Sequence, residues 1–401
     1  MPSLDSRVDL SARSAVRSLV ASQIREVANA GMGDPDILAF WFGEPDEVTP
    51  PHIREAAVAA LAAGDTFYTQ NFGIPELREA IARYVSRLQP PGAAGVSADN
   101  VAVTASGMSA LMLTVEALVD PGDRVVCVTP LWPNLTEIPR ILGAGVVRVA
   151  LDFGPGGWRL NVPKLIAALT PGTRIVMINS PNNPTGWTLD RASQAVILEH
   201  CRRHGIWIVA DDVYERLYYG EAGDAAPRSP SFLDLATPGD RVVSTNSFSK
   251  AWLMTGWRLG WIVAPAPLMP DLGKLIEYNT SCSPGFVQRA GLAAITQGEA
   301  TVVRTLARYR RARDSLCRAL NMIPGIEVAP PPGAMYVFFR VDGVTDSLAF
   351  CKRLVREAKL GLAPGSAFGP EGEGFVRWCF AASEERLMDG VARLSRFLAR
   401  R

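Results

Sequence analysis

An α/β fold, with one sheet covered by helices on both faces, is predicted by three observations. Seven β-rich runs fall at residues 101–105, 124–129, 146–151, 174–179, 206–210, 241–246 and 259–264. Most are separated by helical stretches or long connections such as 108–119 and 191–204, and the runs are nearly continuous in apolar residues, as strands buried on both faces are. The chain has 401 residues, more than one compact core usually holds, so two domains are expected.

Before the regular block, an N-terminal arm and a helix lead to an extended piece at 38–46, broken by Gly43 and Pro45. Residues 51–63 read as a helix with proline near its start. The run 68–73 is a loop, and Ile74-Pro75-Glu76-Leu77 opens an amphipathic helix that lasts to about Leu88, before Pro90 and Pro91. Pro265 and Pro267 close the α/β block. A long helical region is then expected at 284–320, followed by a proline-rich loop at 330–333 and a β run at 335–341. A helix at 347–359, a strand near 375–380 and a last helix from Glu384 complete a smaller α+β domain that packs with the N-terminal arm. The expected division is residues 1–50 for the arm and part of the small domain, 51–283 for the large domain, and 284–401 for the interdomain helix and the rest of the small domain.

Composition narrows the function classes. Hydrophobic residues make up 48% and charged residues 20%, which describes a chain able to fill a core. With 41 basic and 40 acidic residues intermixed, nothing predicts nucleic acid or an anionic membrane as partner. No apolar run is long enough to span a bilayer. Ser11, Arg13, Ser14, Arg17 and Ser18 have the flavour of a transit peptide, but Asp5 and Asp9 argue against one. Six cysteines without paired spacing read as reduced thiols of a cytoplasmic protein. His200 and His204 are spaced as a metal pair on one helix face would be; Arg202 and Arg203 between them favour a solvated helix end.

The chemistry gathers where strands end, as expected of ligand sites in open α/β sheets. Lys250 sits among Phe248, Trp252 and Trp257, surroundings that disfavour an ammonium and so favour an amine able to attack a carbonyl. Arg258, eight residues on, offers a fork suited to phosphate. Together they suggest pyridoxal phosphate (PLP); the alternative is a surface lysine near an aromatic-lined strand. Ser106-Gly107-Met108-Ser109 follows the first run and opens a helix, either as a phosphate cradle or simply as an N-cap and a turn. After the fourth run, Pro181 and Pro184 fix the backbone and present Asn182 or Asn183 as a donor to a phenolic oxygen. After the fifth come Asp211-Asp212-Val213-Tyr214, where a carboxylate at the end of so apolar a strand needs a partner. A protonated pyridine nitrogen would be one; a helix N-cap or a Mg²⁺ ligand are the alternatives.

Several motifs in one order make the chain resemble the fold type I PLP-dependent aminotransferases, class I/II, the aspartate aminotransferase superfamily. They are Gly43-Glu44-Pro45-Asp46, the Tyr68 loop, Ile74-Pro75-Glu76-Leu77-Arg78, the stretch 179–186, Asp211 to Tyr214, the stretch 247–260, and Arg377. The resemblance implies the PLP-transferase fold: a seven-stranded, mostly parallel sheet in the large domain beside a smaller α+β domain. It implies that Lys250 holds PLP through a Schiff base and later moves the proton at Cα. Asp211 would pair with the pyridine nitrogen, and Asn183 and Tyr214 with the phenolic oxygen. Gly107, Met108, Ser247 and Arg258 would bind the phosphate, with Ser106 at its border. Tyr68 would reach the phosphate of the partner subunit, so a homodimer is implied. Trp132 would stack on the ring rather than fill a core. Arg377 would take the substrate α-carboxylate, with Gly43 and Asn183 nearby, although as an isolated residue it reads as an edge-strand surface charge.

The implied reaction is ping-pong transfer of an amino group from an amino acid to a 2-oxo acid. A PLP-dependent β-lyase of the cysteine-conjugate type on the same scaffold is the alternative, and a non-catalytic PLP-binding regulator is a third; no DNA-binding helix pair or basic extension supports the last. Aspartate-specific relatives read the side-chain carboxylate with an extra cation. Here Met108 stands where bacterial relatives often carry lysine, and no basic residue occurs between Lys274 and Arg289. Trp41, Phe42 and Trp132 are expected to add aromatic surface near the pocket, so a neutral, apolar or aromatic donor is expected.

Overall fold

The computed structural model describes residues 11–220 and 227–400. The first ten residues of the expected arm, with Asp5 and Asp9, lie outside the described residues. All seven β-rich runs form strands of one sheet: β1 (Val101–Thr104), β2 (Arg124–Thr129), β3 (Gly145–Ala150), β4 (Thr173–Asn179), β5 (Trp207–Asp211), β6 (Val242–Ser247) and β7 (Gly260–Val263). Their order across the sheet is β1-β7-β6-β5-β4-β2-β3. Neighbours are parallel except around β7, which runs antiparallel to both β6 and β1. A parallel return needs a crossover, usually helical. Residues 248–259 contain only a 3-10 turn at Thr255–Trp257, and the chain re-enters with Gly260 opposite Ser247. The lysine-bearing segment is therefore a turn at the carboxyl edge of the sheet.

Alternation along the strands divides the core between the two faces. Val125, Cys127, Met177 and Val243 pack on one side with Leu111 and Leu113 of helix Gly107–Leu118. Val126, Val128, Val176 and Ile208 pack on the other with Ile197 and Leu198 of helix Arg191–His204. Beneath β1 and β7, helices Pro51–Ala62, Pro75–Leu88 and Gly285–Gln297 bring Ile53, Leu77 and Ala290 against Val103 and Trp261.

The expected long helix at 284–320 is two helices, Gly285–Gln297 and Glu299–Asn321, which meet at Gly298. A Cβ on Gly298 would lie 2.9 Å from the Trp252 ring, so the bend lets the backbone pass close to that indole. Helix Asn134–Ile141, which contains Pro139, helix Met269–Asn279 and the hairpin Asp152–Gly154/Gly157–Arg159 were not expected.

A second sheet comprises β8 (Ile326–Glu327), β9 (Tyr336–Val341), β10 (Ala363–Pro364) and β11 (Phe375–Cys379), antiparallel in the order β8-β9-β11-β10. The start of the chain joins it: Leu38–Ala39 pairs in parallel with Leu360–Gly361, and Val27, Phe40 and Trp41 share a core with Val337, Val376 and Trp378. Among the described residues no helix is long and apolar enough to cross a membrane. His200 Nε2 lies 2.8 Å from the Leu169 carbonyl, and its ring packs against that of His204, centroids 4.5 Å apart and planes tilted by 45°, which accounts for the pair structurally.

Candidate active site

The carboxyl ends of β4, β5 and β6, the start of helix Gly107–Leu118 and the turn after β6 enclose a cavity of about 450 Å³. β9, β11 and the N-terminal segment close its other side. The small sheet thus supplies one wall and the large sheet the floor.

At one end lies an anion-binding geometry. Ser106 adopts φ 138° and ψ 165°, a conformation open mainly to glycine, and its Oγ accepts from Ser109 N at 3.0 Å. Gly107 and Met108 follow in the first helical turn, where amide N–H groups have no intrahelical acceptor. β7 lies so close to this turn that a Cβ on Gly260 would sit 2.5 Å from Gly107 N. Ser247 lies beside Gly107, and Arg258 lines the same end, its Nη1 donating to Thr255 O at 2.7 Å. Ser106 itself stands behind the lining, as an N-cap.

At the floor, Asp211 is buried and its Oδ1 has no hydrogen-bond partner. Burial, and next the neighbouring Asp212, push its pKa up from 3.8 to about 7. Asp212 points away from the cavity and accepts from Ser244 Oγ at 2.6 Å and Ser231 Oγ at 3.2 Å. The two adjacent carboxylates are thereby told apart: one is satisfied by hydroxyls, and the other is left for a ligand. The two asparagines divide in the same way. Asn182 turns inward to Thr185, with Oδ1 2.7 Å from Thr185 Oγ1, whereas Asn183 lines the cavity.

Lys250 reaches in from the turn and donates from Nζ to Gly43 O at 2.8 Å, 5.7 Å from the centre of the Tyr214 ring. Burial lowers its pKa from 10.5 to about 8; Cys379 opposes that shift, while Arg377 and Arg258 add to it. Arg377 lies on β11, between β9 and β10, and is buried rather than an edge-strand surface charge. Its Nη1 donates to Asn183 Oδ1 at 2.9 Å and its Nη2 to Trp41 O, while Nε has no partner. Trp132 lines the cavity half-buried, its backbone N–H donating to the Asn183 carbonyl at 2.9 Å.

Two residues fall elsewhere. Tyr68 is 90% exposed and does not line the cavity of its own chain. The Trp41 ring does not add aromatic surface to the pocket: it packs where a Cβ on Gly361 would be, in the core of the small sheet, and only its carbonyl reaches the site. Phe42 does line the cavity.

Sequence reasoning missed Tyr336 and Arg25. The Tyr336 hydroxyl is 2.7 Å from that of Tyr214, and Arg377 Cζ lies 4.5 Å from the centre of its ring. Gly43 is required here, because a Cβ would stand 1.9 Å from the Tyr336 hydroxyl. Arg25, on helix Gln23–Asn29, lines the mouth over Phe42. The phase of a β run could have flagged Tyr336; nothing local marks Arg25.

The cavity therefore offers an anion seat at one end, an unsatisfied buried carboxylate below, a lysine amine of lowered pKa and a second arginine opposite. These are the complements of a phosphate, a cationic pyridinium, an aldehyde and a carboxylate, so the residues fit PLP with an amino acid.

The sequence model of the family described as aminotransferase class I and II matches residues 35–394. An aspartate aminotransferase from Pyrococcus horikoshii is 34% identical, with 94% of each chain covered. An aromatic-amino-acid aminotransferase 2 from Thermococcus litoralis is 32% identical over 94% of this chain and 95% of its own. The solved aspartate aminotransferase from Thermotoga maritima superimposes with a TM-score of 0.88 at 32% identity, covering 97% of this chain and all of that one. The chain belongs to the class I and II aminotransferase family and is a PLP-dependent transaminase.

Proposed function

We propose that this aminotransferase moves the amino group of a neutral, apolar or aromatic L-amino acid to a 2-oxo acid by a ping-pong mechanism. The observation that carries the reading is the convergence of the Lys250 amine, the unpartnered Asp211 Oδ1 and Arg377 on one cavity. When bound, PLP supplies an electron sink for the charge that develops at the substrate Cα.

The residues have separable tasks in this reading. Asp211 holds the proton on the ring nitrogen, a role suited to a carboxylate whose buried oxygen lacks any other donor. Asn183 and Tyr214 orient the phenolic oxygen; Gly107, Met108, Ser247 and Arg258 hold the phosphate, with Ser106 shaping the turn; Trp132 covers the ring face. Lys250 would anchor the cofactor, and once released its Nζ would take the proton from Cα and deliver it to the cofactor carbon. Its lowered pKa leaves a usable fraction of free amine near neutrality. Arg377 holds the α-carboxylate, and its bond to Asn183 Oδ1 links that carboxylate to the cofactor's position.

The donor preference is supported by Met108, whose thioether accepts from Asn134 Nδ2 at 3.4 Å, and by Phe42 and Trp132 in the lining. Relatives carry the names of aspartate and aromatic aminotransferases, so their names leave the donor open. A homodimer with Tyr68 crossing to the partner's phosphate site is part of the proposal, supported by the exposure of Tyr68. So is a division into an arm (1–50), a large domain (51–283) and a C-terminal region (284–401). A cytoplasmic setting is supported by six cysteines that all remain free.

The test is a panel of amino donors against pyruvate and 2-oxoglutarate, with both products identified. Neutral or aromatic donors should lead, and an aspartate kcat/KM far above all others would overturn the donor assignment. The visible absorbance of the loaded enzyme should respond to donors and be lost in Lys250→Ala.

A further inference from the structure

The proposed function leaves unused an ion pair that joins the two sheets. Arg148, on β3, meets Glu371, in the 3-10 turn Pro370–Gly372 between β10 and β11. Arg148 Nε donates to Glu371 Oε1 at 2.8 Å and Nη2 to Oε2 at 2.9 Å. Thr129 Oγ1, at the end of β2, donates to the same Oε1 at 3.0 Å. The two charged side chains are only 26% and 20% exposed. A two-bonded pair so shielded fixes a geometry, unlike a surface bridge between two mobile chains.

The same guanidinium makes a further bond. Arg148 Nη2 donates to Phe368 O at 3.0 Å, which also accepts from Leu131 N at 3.1 Å. A Cβ on Gly369 would overlap Arg148 Nη2, so the guanidinium rests there on bare backbone. Ser366 N donates to Ser347 Oγ at 3.0 Å and ties the turn to the small-sheet side, while Arg148 and Leu131 tie it to the large one. The Phe368 side chain is buried against Arg377. Arg377 Cζ lies 4.9 Å from the centre of its ring and 4.5 Å from that of Tyr336, so two aromatic rings set the plane of the guanidinium. That plane decides how well the fork meets the two oxygens of a carboxylate.

We infer that Arg148 and Glu371 are positioning residues: they clamp Phe368 against Arg377 and so set the affinity for the α-carboxylate that every donor and acceptor carries. This rests on the proposed role of Arg377 and adds to it the pair that orients it. Neither residue lines the cavity, and no bond to either forms or breaks in the reaction. The α-carboxylate is held alike in the ground and transition states, so a loosened clamp raises KM and leaves kcat. The effect is blind to the substrate side chain.

The test compares PLP-loaded wild type with Glu371→Gln, Arg148→Met and Arg148→Lys. In the first two variants the Kd of butyrate, an unreacting carboxylate titrated against the visible band, should rise roughly three- to tenfold. Arg148→Lys keeps the charge but cannot fork to Glu371 and Phe368 O together, so its Kd should fall between wild type and Arg148→Met. The KM values for pyruvate and 2-oxoglutarate should rise by similar factors, with kcat within about twofold. A pair that only stabilises the fold would lower the urea midpoint and leave butyrate affinity within about twofold of wild type, which would overturn the inference. Arg377→Lys tells the two readings apart and should lose more butyrate affinity than any clamp variant. If it binds butyrate as wild type does, the proposed α-carboxylate seat is wrong, and the clamp's route falls with it. If Arg377→Lys loses affinity but the Arg148 and Glu371 variants keep it, the seat stands and the clamp alone is refuted.

Discussion

The hydroxyls of Tyr214 and Tyr336 lie 2.7 Å apart, and both side chains are buried. The pair joins the end of the large sheet to the first residue of β9, and Arg377 stacks on the second of the two rings. Removing one hydroxyl should strand the other, at a cost of about 1–3 kcal/mol for Tyr336→Phe. Gly43→Ala should be at least as damaging, because its new methyl would meet the Tyr336 hydroxyl at 1.9 Å. The double variant should lose less than the two penalties added, since Tyr336→Phe removes the atom that Gly43→Ala strikes. Urea midpoints of all four proteins measure this; strict additivity would mean that the contact is not what requires glycine.

Lys250 makes a kinetic prediction. With its pKa near 8 rather than 10.5, the free amine becomes the major form well below the pH an exposed lysine would need. On mixing PLP-free protein with PLP, the rate at which the visible band appears should rise with pH and level off above about 8. A rate that continues to climb towards pH 10.5 would show that burial does not depress this amine.

Asp211→Asn should separate function from stability. In the PLP-free protein the carboxylate is buried without a partner on Oδ1, and its folded pKa is raised from 3.8 to about 7, first by burial. A raised pKa means that protonation of the folded state stabilises it. That stability is fully present below 3.8 and lost as pH rises through about 7. The PLP-free Asn variant should therefore melt higher than wild type at pH 8, and the gap should close as pH falls towards 3.8. Its turnover when loaded should fall by roughly 10²-fold or more, because an amide cannot compensate a cationic ring nitrogen. An activity near wild type would remove Asp211 from the ring-nitrogen role.

Much of this arrangement was legible from local pattern. Seven apolar runs separated by helical or turn signals read directly as strands, and their polar ends pointed to one edge. Lys250, Asp211 and Asn183 stood out because each is a polar residue where an apolar strand stops. What escaped depends on contacts distant in sequence. The antiparallel entry of β7 follows from a missing crossover helix rather than from its own residues. Trp41 and Phe42 are adjacent aromatics, yet only tertiary packing decides that one enters the small-sheet core and the other the cavity. Tyr336 meets Tyr214 across 122 positions, and Arg25 reaches the site from a short helix whose pattern says nothing about where it docks.

Tyr68 carries the last prediction. It is 90% exposed, beside Phe67 at 83%, and Tyr278 is 89% exposed, an unusual cost for a surface left in water unless something covers it. The loop is anchored rather than loose: Thr69 N donates to Cys282 Sγ at 3.4 Å, and Asn71 Nδ2 to Glu277 Oε2 at 2.9 Å. A firmly held tyrosine with no contact in its own cavity is suited to reach another subunit's. Light scattering should therefore give twice the 43.2 kDa chain mass. Tyr68→Phe should keep the dimer but weaken PLP retention, by roughly tenfold if its hydroxyl bonds the partner's phosphate. The off-rate of PLP during dialysis, followed by the visible band, is the measurement. A monomeric active enzyme, or an unchanged off-rate in Tyr68→Phe, would leave the exposed hydroxyl without that role.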